Sequence, residues 1–331
     1  MKNNIFVNDY KPVLDIVETQ KAIKLIKGTF ETNLATALEL SRVSAPLFVD
    51  PKTGLNDNLS GKEKAISFKL INGQELEIVQ SLAKWKRYAL KKYDLKGLYT
   101  DMNAIRPNEE TDNLHSLYVD QWDWEKVIIK EERTLSYLKD TVRKIYEAFL
   151  ETEKTVSTIY PNLKHNLPSE ITFFTTQELL DRYPTLTSKE RENAITKEYK
   201  AVFIIGIGSA LSDGSIHDSR AADYDDWSLN GDILVWHDTL GVALEISSMG
   251  IRVNKASLMS QTALKGEEYK LEYEYHKAIL NDKLPLTIGG GIGQSRLCLY
   301  FLNKAHIGEV QSSYWDKEDI EEFKKYNINL L

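Results

Sequence analysis

Apolar residues recur at helical spacing at Ile16, Ile23, Ile26, Phe30, Leu34 and Leu38, which predicts an amphipathic helix over residues 16–38. A short strand over 39–46 follows and stops at Pro46, a residue that cannot donate to a sheet ladder. Polar and apolar positions alternate over 65–70 and 75–79 around Asn72-Gly73, the strongest short-range hairpin signal in the chain. A helix is expected from Gln80 to about Tyr93, then a strand over 97–106 and a returning strand over 114–125. Helical spacing resumes at Leu135, Leu138, Val142, Ile145, Phe149, Val156 and Ile159 and predicts a helix over 134–160, with shorter helices at 177–183 and 188–199. A buried strand at 201–206, a hairpin of 232–236 with 242–247, and helices at 255–264 and 270–280 complete the middle of the chain. Loops at 48–62 and 208–227 interrupt this order.

Near the end, Leu284, Leu286 and Ile288 alternate into Gly289-Gly290-Gly291-Ile292-Gly293. Arg296 and an apolar run at Leu297, Leu299, Tyr300, Phe301 and Leu302 follow. The stretch reads as a strand, a glycine turn and a helix start. So few side chains let a flat ligand lie against backbone. Arg296 falls in the first helical turn, where backbone N–H groups and the helix dipole favour anions. A base and a phosphate fit that geometry, although glycine-rich turns before helices also serve as plain tight connections. The stretch is not a P-loop, for no Gly-Lys-Ser/Thr follows, and not a dinucleotide fingerprint, for no βαβ unit comes after it.

Polar residues add candidates. Alternation places Gln121, Asp123 and Glu125 on one face of the returning strand and Trp122 and Trp124 on the other. Three polar side chains on one strand face make either a solvated face or a site. Lys84, Lys86 and Arg87 offer the same choice on a helix. Asp57, in Asn56-Asp57-Asn58-Leu59-Ser60-Gly61, is either a turn residue or a ligand for an ammonium group. The long loop holds Asp225, suited to ammonium or ammonia, and Arg220, suited to a carboxylate; its acids also read as solvated surface.

Charge narrows the choices. The 331 residues carry a formal net charge of -7, so no overall basic field draws the chain to nucleic acid or to an acidic membrane. The single cysteine, Cys298, excludes an internal disulfide, points to a reducing compartment and reads as core. No signal-peptide pattern opens the chain and no apolar run reaches membrane-spanning length. A cytoplasmic protein is expected.

Taken in order, these stretches resemble the catalytic core of class II aminoacyl-tRNA synthetases. The helix with its proline-ended strand is similar to motif 1, the segment that forms the dimer interface in that family. Arg106-Pro107-Asn108-Glu109 between two antiparallel strands is similar to motif 2, and Gly289 to Arg296 to motif 3. Gln121-Trp122-Asp123-Trp124-Glu125 is similar to the Gln-x-Asp-x-Glu of the aspartyl and asparaginyl members. The resemblance implies an α+β fold, an antiparallel sheet flanked by helices. It implies one catalytic domain over 1–331, with a helical insertion at about 132–200, and a homodimer. It also implies acyl adenylation with ATP and magnesium.

An aspartyl-tRNA synthetase needs an anticodon-binding domain, and here the core begins almost at the first residue. A glutamine-using amide synthetase needs a thiol nucleophile, and Cys298 is not suitably placed. Over its whole length the chain resembles the ammonia-dependent asparagine synthetases, or aspartate–ammonia ligases. The stretches Ser81-Leu82-Ala83-Lys84-Trp85-Lys86-Arg87, Tyr118 to Glu125 and Leu229 to Trp236 carry that likeness. In that family the β-carboxylate of aspartate is adenylated and ammonia displaces AMP.

The resemblance implies catalytic roles for Asp57, Arg106 and Gln121. It implies aspartate binding by Lys86, Asp123, Arg220, Asp225, Ser248 and Arg252. Glu109, His115, Gly291, Gly293 and Arg296, with Arg106, would hold ATP, and Asp232 and Glu245 magnesium. Partners would be aspartate, ammonia and ATP, with no stable nucleic acid and no membrane. The alternatives are a paralogue that passes activated aspartate to tRNA and a non-catalytic regulatory paralogue. The second would usually have lost a motif arginine or the acidic pair, and Arg106, Arg296, Asp232 and Glu245 are all present.

Overall fold

A computed structural model describes residues 4–57, 64–165 and 167–331. Helix α1 (Ile16–Leu38) starts where the Asp15 side chain accepts from the Glu18 N–H at 2.8 Å. It ends at Glu39, which takes the left-handed conformation and caps the last turn. That cap shortens the strand expected over 39–46: only β1 (Ser41–Arg42) pairs. The strands β2 (Phe48–Val49), β3 (Ser67–Lys69) and β4 (Glu75–Ile78) form a small separate sheet in the order β2-β4-β3. The Asn72-Gly73 turn joins β3 to β4, as its sequence predicts.

Helix α2 (Ala83–Tyr93) leads into the main hairpin, β5 (Gly97–Ile105) and β6 (Tyr118–Val127). Between β6 and the second hairpin lie α3 (Leu135–Ile159), β7 (Thr172–Thr175), α4 (Thr176–Arg182), α5 (Ser188–Tyr199) and β8 (Ala201–Ile205). The span 132–200 is therefore not purely helical, because β7 adds a parallel strand beside β8. The second hairpin, β9 (Asp225–His237) with β10 (Val242–Arg252), is much longer than its apolar pattern suggests. Its far ends carry polar residues, with Arg252 opposite Asp225 beyond a register shift after Gly250. Helices α6 (Lys255–Lys265) and α7 (Glu274–Leu280) return the chain to β11 (Thr287–Gly293), α8 (Gln294–Phe301) and α9 (Lys317–Lys325).

Eight strands form the main sheet in the order β1-β5-β6-β11-β10-β9-β8-β7. The six central strands are antiparallel to one another, and each edge strand is parallel to its single neighbour. One face of this sheet is packed by α1, α3 and α8 around a shared core. Phe30 of α1 meets Trp122 of β6 at 5.2 Å and Phe149 of α3 at 5.1 Å between ring centroids. The alternation read from 121–125 thus holds: Trp122 and Trp124 face this core, which leaves Gln121, Asp123 and Glu125 on the opposite face.

Candidate active site

The glycines of β11 are not a turn. They form an extended strand hydrogen-bonded on both sides, to β6 and to β10. Register sets Gly289 opposite Glu125, Gly291 opposite Asp123 and Gly293 opposite Gln121. On the other side Gly289 faces Gly250 and Gly291 faces Ser248. What the missing side chains admit is neighbouring protein. A Cβ at 289 would strike the Glu125 carboxylate and lie 2.6 Å from Arg252 Nη2, and one at 291 would strike the Gln121 amide oxygen. One at 290 would lie 2.5 Å from Met249 Cβ and 2.8 Å from the Ser248 carbonyl. The glycines let the polar face of β6 and the end of β10 lie flat over the sheet.

Strand β11 therefore orders the site along its length. At the Gly289 end, Arg252 donates to both Glu125 oxygens at 3.0 Å through Nε, to Oε2 at 2.8 Å through Nη2, and to Asp225 through Nη1. Burial opposes the Arg252 charge, but Glu125 and Asp225 outweigh it and hold its pKa above the ordinary value. One residue on, the Gly290 carbonyl accepts from Lys86 Nζ at 2.8 Å, and the same ammonium pairs with Asp123. Burial pulls Lys86 below the ordinary lysine value against the attraction of Asp123. All three cations read at the start of α2 are buried rather than on a solvated face, with Arg87 donating to the carbonyls of Pro285 and Val253.

Past Gly293, Arg296 in the first turn of α8 donates to the Glu245 carbonyl at 3.0 Å and lies 3.8 Å from its carboxylate. Arg106 comes from the end of β5, and its Nε is buried without a hydrogen-bond partner among the described residues. Glu109 folds back onto it through a backbone bond at 3.2 Å. His115 sits against Asp112 at 2.8 Å, within the same connection. The Lys86–Asp123 pair thus sits at Gly290 and Gly291 within β11, and Arg296 lies beyond its Gly293 end.

These groups converge on one cleft of about 510 Å³. Asp57, Lys86, Arg106, Glu109, His115, Gln121 and Asp123 line it, and so do Arg220, Asp225, Glu245, Ser248, Arg252, Gly291, Gly293 and Arg296. Asp57 is buried at its edge, with its carbonyl accepting from Gln80 at 2.8 Å; Asn58 to Gly61 of its loop lie outside the described residues. Asp232 is the exception. It lines a neighbouring cavity of about 230 Å³ that shares Glu245 with the main cleft. Arg220 spans the two, donating to Ser248 Oγ at 2.7 Å and to Asp232 at 2.6 Å. Burial pushes the Asp232 carboxyl up to about 7, with Arg220 opposing and the Glu245 charge adding to the rise.

Among the described residues no three His, Cys, Asp or Glu side chains gather as a metal cage. The Asp232–Glu245 pair still fits a hard divalent cation. Two mutually repelling carboxylates offer oxygen ligands, and magnesium characteristically completes its shell with water and substrate phosphates.

Sequence reasoning missed several lining residues. Tyr224 sits between Arg220 and Asp225 in the chain and is half-buried. Ile307 and Gln311, beyond α8, also reach the cleft. Position beside two named candidates could have flagged Tyr224; no local pattern marks the other two.

An antiparallel sheet with two arginines and a buried lysine–aspartate pair set along a glycine strand defines a core of the class II synthetase type. The fold agrees with solved members. Asparaginyl-tRNA synthetase from Pyrococcus horikoshii, solved with asparaginyl-adenylate, superposes with a TM-score of 0.68 at 15% identity, over 89% of this chain and 68% of that one. An aspartyl-tRNA synthetase from Entamoeba histolytica gives 0.63 at 16%, over 91% and 58%. Sequence is more specific. The aspartate–ammonia ligase family pattern matches residues 17–327. Aspartate–ammonia ligases from Bacillus cytotoxicus and Bacillus cereus are 59% and 60% identical over 326 residues, 97% of this chain and 100% of theirs. The chain belongs to the aspartate–ammonia ligase family, and it is an enzyme of the ligase class.

Proposed function

We propose that the protein makes L-asparagine from L-aspartate, ammonia and ATP through a β-aspartyl-AMP intermediate, releasing AMP and pyrophosphate. The observation that carries this reading is the order of charges along β11. A cation pair suited to phosphate stands at one end, and a set of paired charges suited to an amino acid at the other. The two substrates then meet between them, near Gln121.

In the first step a β-carboxylate oxygen of aspartate attacks the α-phosphorus of ATP, and the bond to pyrophosphate breaks. Negative charge grows on the phosphoryl oxygens, and Arg106 and Arg296 answer it with planar, charge-assisted donors. Lys86, Asp123, Asp225 and Arg252 hold the amino acid, and Arg220 and Ser248 close the side nearer Asp232. Glu109 and His115 serve the nucleotide, as do Gly291 and Gly293 by leaving room. In the second step the ammonia nitrogen attacks the activated carbonyl, the bond to AMP breaks and a proton is lost. Asp57 and Asp225 are the bases within the cleft, and Gln121 orients the carbonyl. Asp232 and Glu245 would hold magnesium, which neutralises charge on the ATP phosphates when bound.

The reading extends to the whole chain as one catalytic domain with an insertion at about 132–200, acting in the cytoplasm as a homodimer with aspartate, ammonia and ATP as its only substrates. No helix among the described residues is long and apolar enough to cross a membrane. Supporting the dimer, β1 lies at the sheet edge with both residues exposed. The test is aspartate-dependent exchange between ATP and pyrophosphate, measured without and then with ammonium. Exchange without ammonium supports the adenylate; its absence under both conditions, with product still formed, refutes a free acyl-adenylate.

A further inference from the structure

Asp223 lies outside the cleft and is fully buried. It belongs to the connection between β8 and β9, which brings Arg220 and Tyr224 to the cleft wall and runs directly into Asp225 at the start of β9. Its Oδ2 accepts from Lys84 Nζ at 3.0 Å and from His276 Nε2 at 2.9 Å. Side-chain exposures are 5% for Lys84 and zero for Asp223 and His276, so no water screens the contact. Burial works against the Asp223 charge, but Lys84 and His276 outweigh it and hold the carboxyl below its ordinary range. Burial also lowers His276, so at neutral pH it donates one proton as a neutral ring.

The partners come from two different elements. Lys84 is in the first turn of α2, two residues before Lys86, whose ammonium reaches Asp123 and the Gly290 carbonyl. His276 is in α7. Asp223 is thus the point where the loop with Arg220 and Tyr224, leading into Asp225, is fastened to the helix with Lys86. Without this tie the same loop is anchored by Gln261 of α6, which donates to the carbonyls of Ala222 and Asp225 at 3.0 and 2.9 Å. Those bonds fix the loop to α6, and Ser248 and Arg252 fix Arg220 and Asp225 to β10; the Asp223–Lys84 pair is the link that runs directly to α2.

We propose that Asp223 is a positioning residue for the amino-acid end of the cleft: through Lys84 it sets the spacing between the Lys86–Asp123 pair and the Arg220–Asp225 wall. The inference rests on the reading of that end as the aspartate site. Misplacing a binding group by about 1 Å is enough to cost of order 10²-fold in a reaction that depends on orientation. The nucleotide end, built on Arg106 and Arg296, shares no contact with the triad. A general loss of structure would weaken both substrates; loss of this spacing weakens one.

The experiment measures KM for aspartate and for ATP separately, in the unchanged full-length enzyme and in Asp223→Asn, Lys84→Met and the double variant. We expect KM for aspartate to rise at least tenfold in each single variant, KM for ATP to stay within twofold, and the double variant to be no worse than the more affected single. Asp223→Glu, which keeps the charge, should recover at least half of the loss. A rise in aspartate KM below threefold in folded single variants overturns the proposal, as does a parallel rise for both substrates. If neither single variant folds, His276→Gln keeps the ion pair and alters the second donor; aspartate KM should rise about threefold there, and no change overturns the proposal. Should the unchanged enzyme show no dependence on aspartate, the functional reading fails and takes this inference with it. If the unchanged enzyme is active and the variants are normal, only this inference fails.

Discussion

Lys86 and Asp123 form a buried ion pair in the cleft, and the second oxygen of Asp123 has no hydrogen-bond partner among the described residues. A carboxylate so placed is half-satisfied: one oxygen takes the lysine and the other remains as an acceptor for a ligand. The α-ammonium of an amino acid is the donor it suits. Asp123→Asn keeps the shape and removes the charge. Hydrogen bonds to charged groups contribute roughly 1.5–3 kcal/mol, so KM for aspartate should rise about 10- to 100-fold. Steady-state kinetics with ATP saturating checks this, and an unchanged KM would remove Asp123 from the aspartate site.

The phosphate end makes a separate prediction. Arg106→Ala and Arg296→Ala should each lower the rate of aspartate-dependent ATP–pyrophosphate exchange by about 10²- to 10³-fold, the cost of removing one donor that strengthens as charge develops. Thermal unfolding should move little, because Arg296 contributes one bond to a carbonyl and a weak ion pair at 3.8 Å. Exchange at the unchanged rate in either folded variant would falsify the nucleotide assignment.

How much of this was legible in the sequence differs by element. Helix α1 was legible because its buried stripe repeats every four residues at Ile26, Phe30, Leu34 and Leu38, although Ile16 at its start is exposed. The face of β6 was legible because tryptophans alternate with acids. The β11 strand was not, since a glycine run carries no side-chain pattern and its extended form is imposed by β6 and β10 on either side. Spacing also left Lys84, Lys86 and Arg87 undecided. Their burial depends on Asp223, Asp123 and the Pro285 and Val253 carbonyls, all of them remote in sequence. Ile307 and Gln311 reach the cleft through tertiary packing alone.

Two adjacent glycines should respond differently to the same change. At 290 a methyl group meets backbone and the Cβ of Met249, neither of which can turn away. Gly290→Ala should therefore destabilise the fold, by about 1–3 kcal/mol for an overpacked site. At 291 it meets the far end of the Gln121 side chain, which can swing. Gly291→Ala should fold with nearly unchanged Tm and lose asparagine formation instead, because Gln121 is displaced. Equal loss of Tm in the two variants would count against the assignment of Gln121 as a group the glycine makes room for.

Acid should unfold the protein earlier than its carboxylates alone would require. His237 donates from Nε2 to the Leu299 carbonyl at 3.3 Å and accepts the Leu240 N–H on Nδ1 at 3.2 Å, so the folded state holds the neutral ring. Burial lowers its pKa from 6.5 to about 4. Between those values the unfolded chain binds the extra proton and the folded one does not, so stability is complete above pH 6.5 and falls as pH falls. The loss approaches about 3 kcal/mol by pH 4 for this one group. His237→Gln should cost stability at pH 7 and flatten the slope of Tm between pH 6.5 and pH 5. A slope as steep as that of the unchanged protein would assign the acid sensitivity to other groups, His306 first among them, since burial lowers it to about 4 as well.

The last prediction concerns the acceptor. Ammonia should take the aspartyl group, and neither glutamine nor tRNA should. Glutamine hydrolysis needs a nucleophilic thiol, and Cys298 is buried in α8 with its pKa pushed up to about 12 by burial, so it carries almost no thiolate at neutral pH. A tRNA needs a basic surface, and the net charge is -7. Free ammonia is the nucleophile, so the rate at fixed total ammonium should climb with pH as ammonium deprotonates, until another group intervenes. Asp57→Asn should preserve ATP–pyrophosphate exchange and lower asparagine formation by about 10²-fold, the usual scale of a positioned base. The measurement supplies ATP, magnesium and labelled aspartate with ammonium, glutamine or tRNA in turn. Label in free asparagine with ammonium alone supports the ammonia ligase; label on tRNA and none in asparagine would replace it with an aminoacylating enzyme.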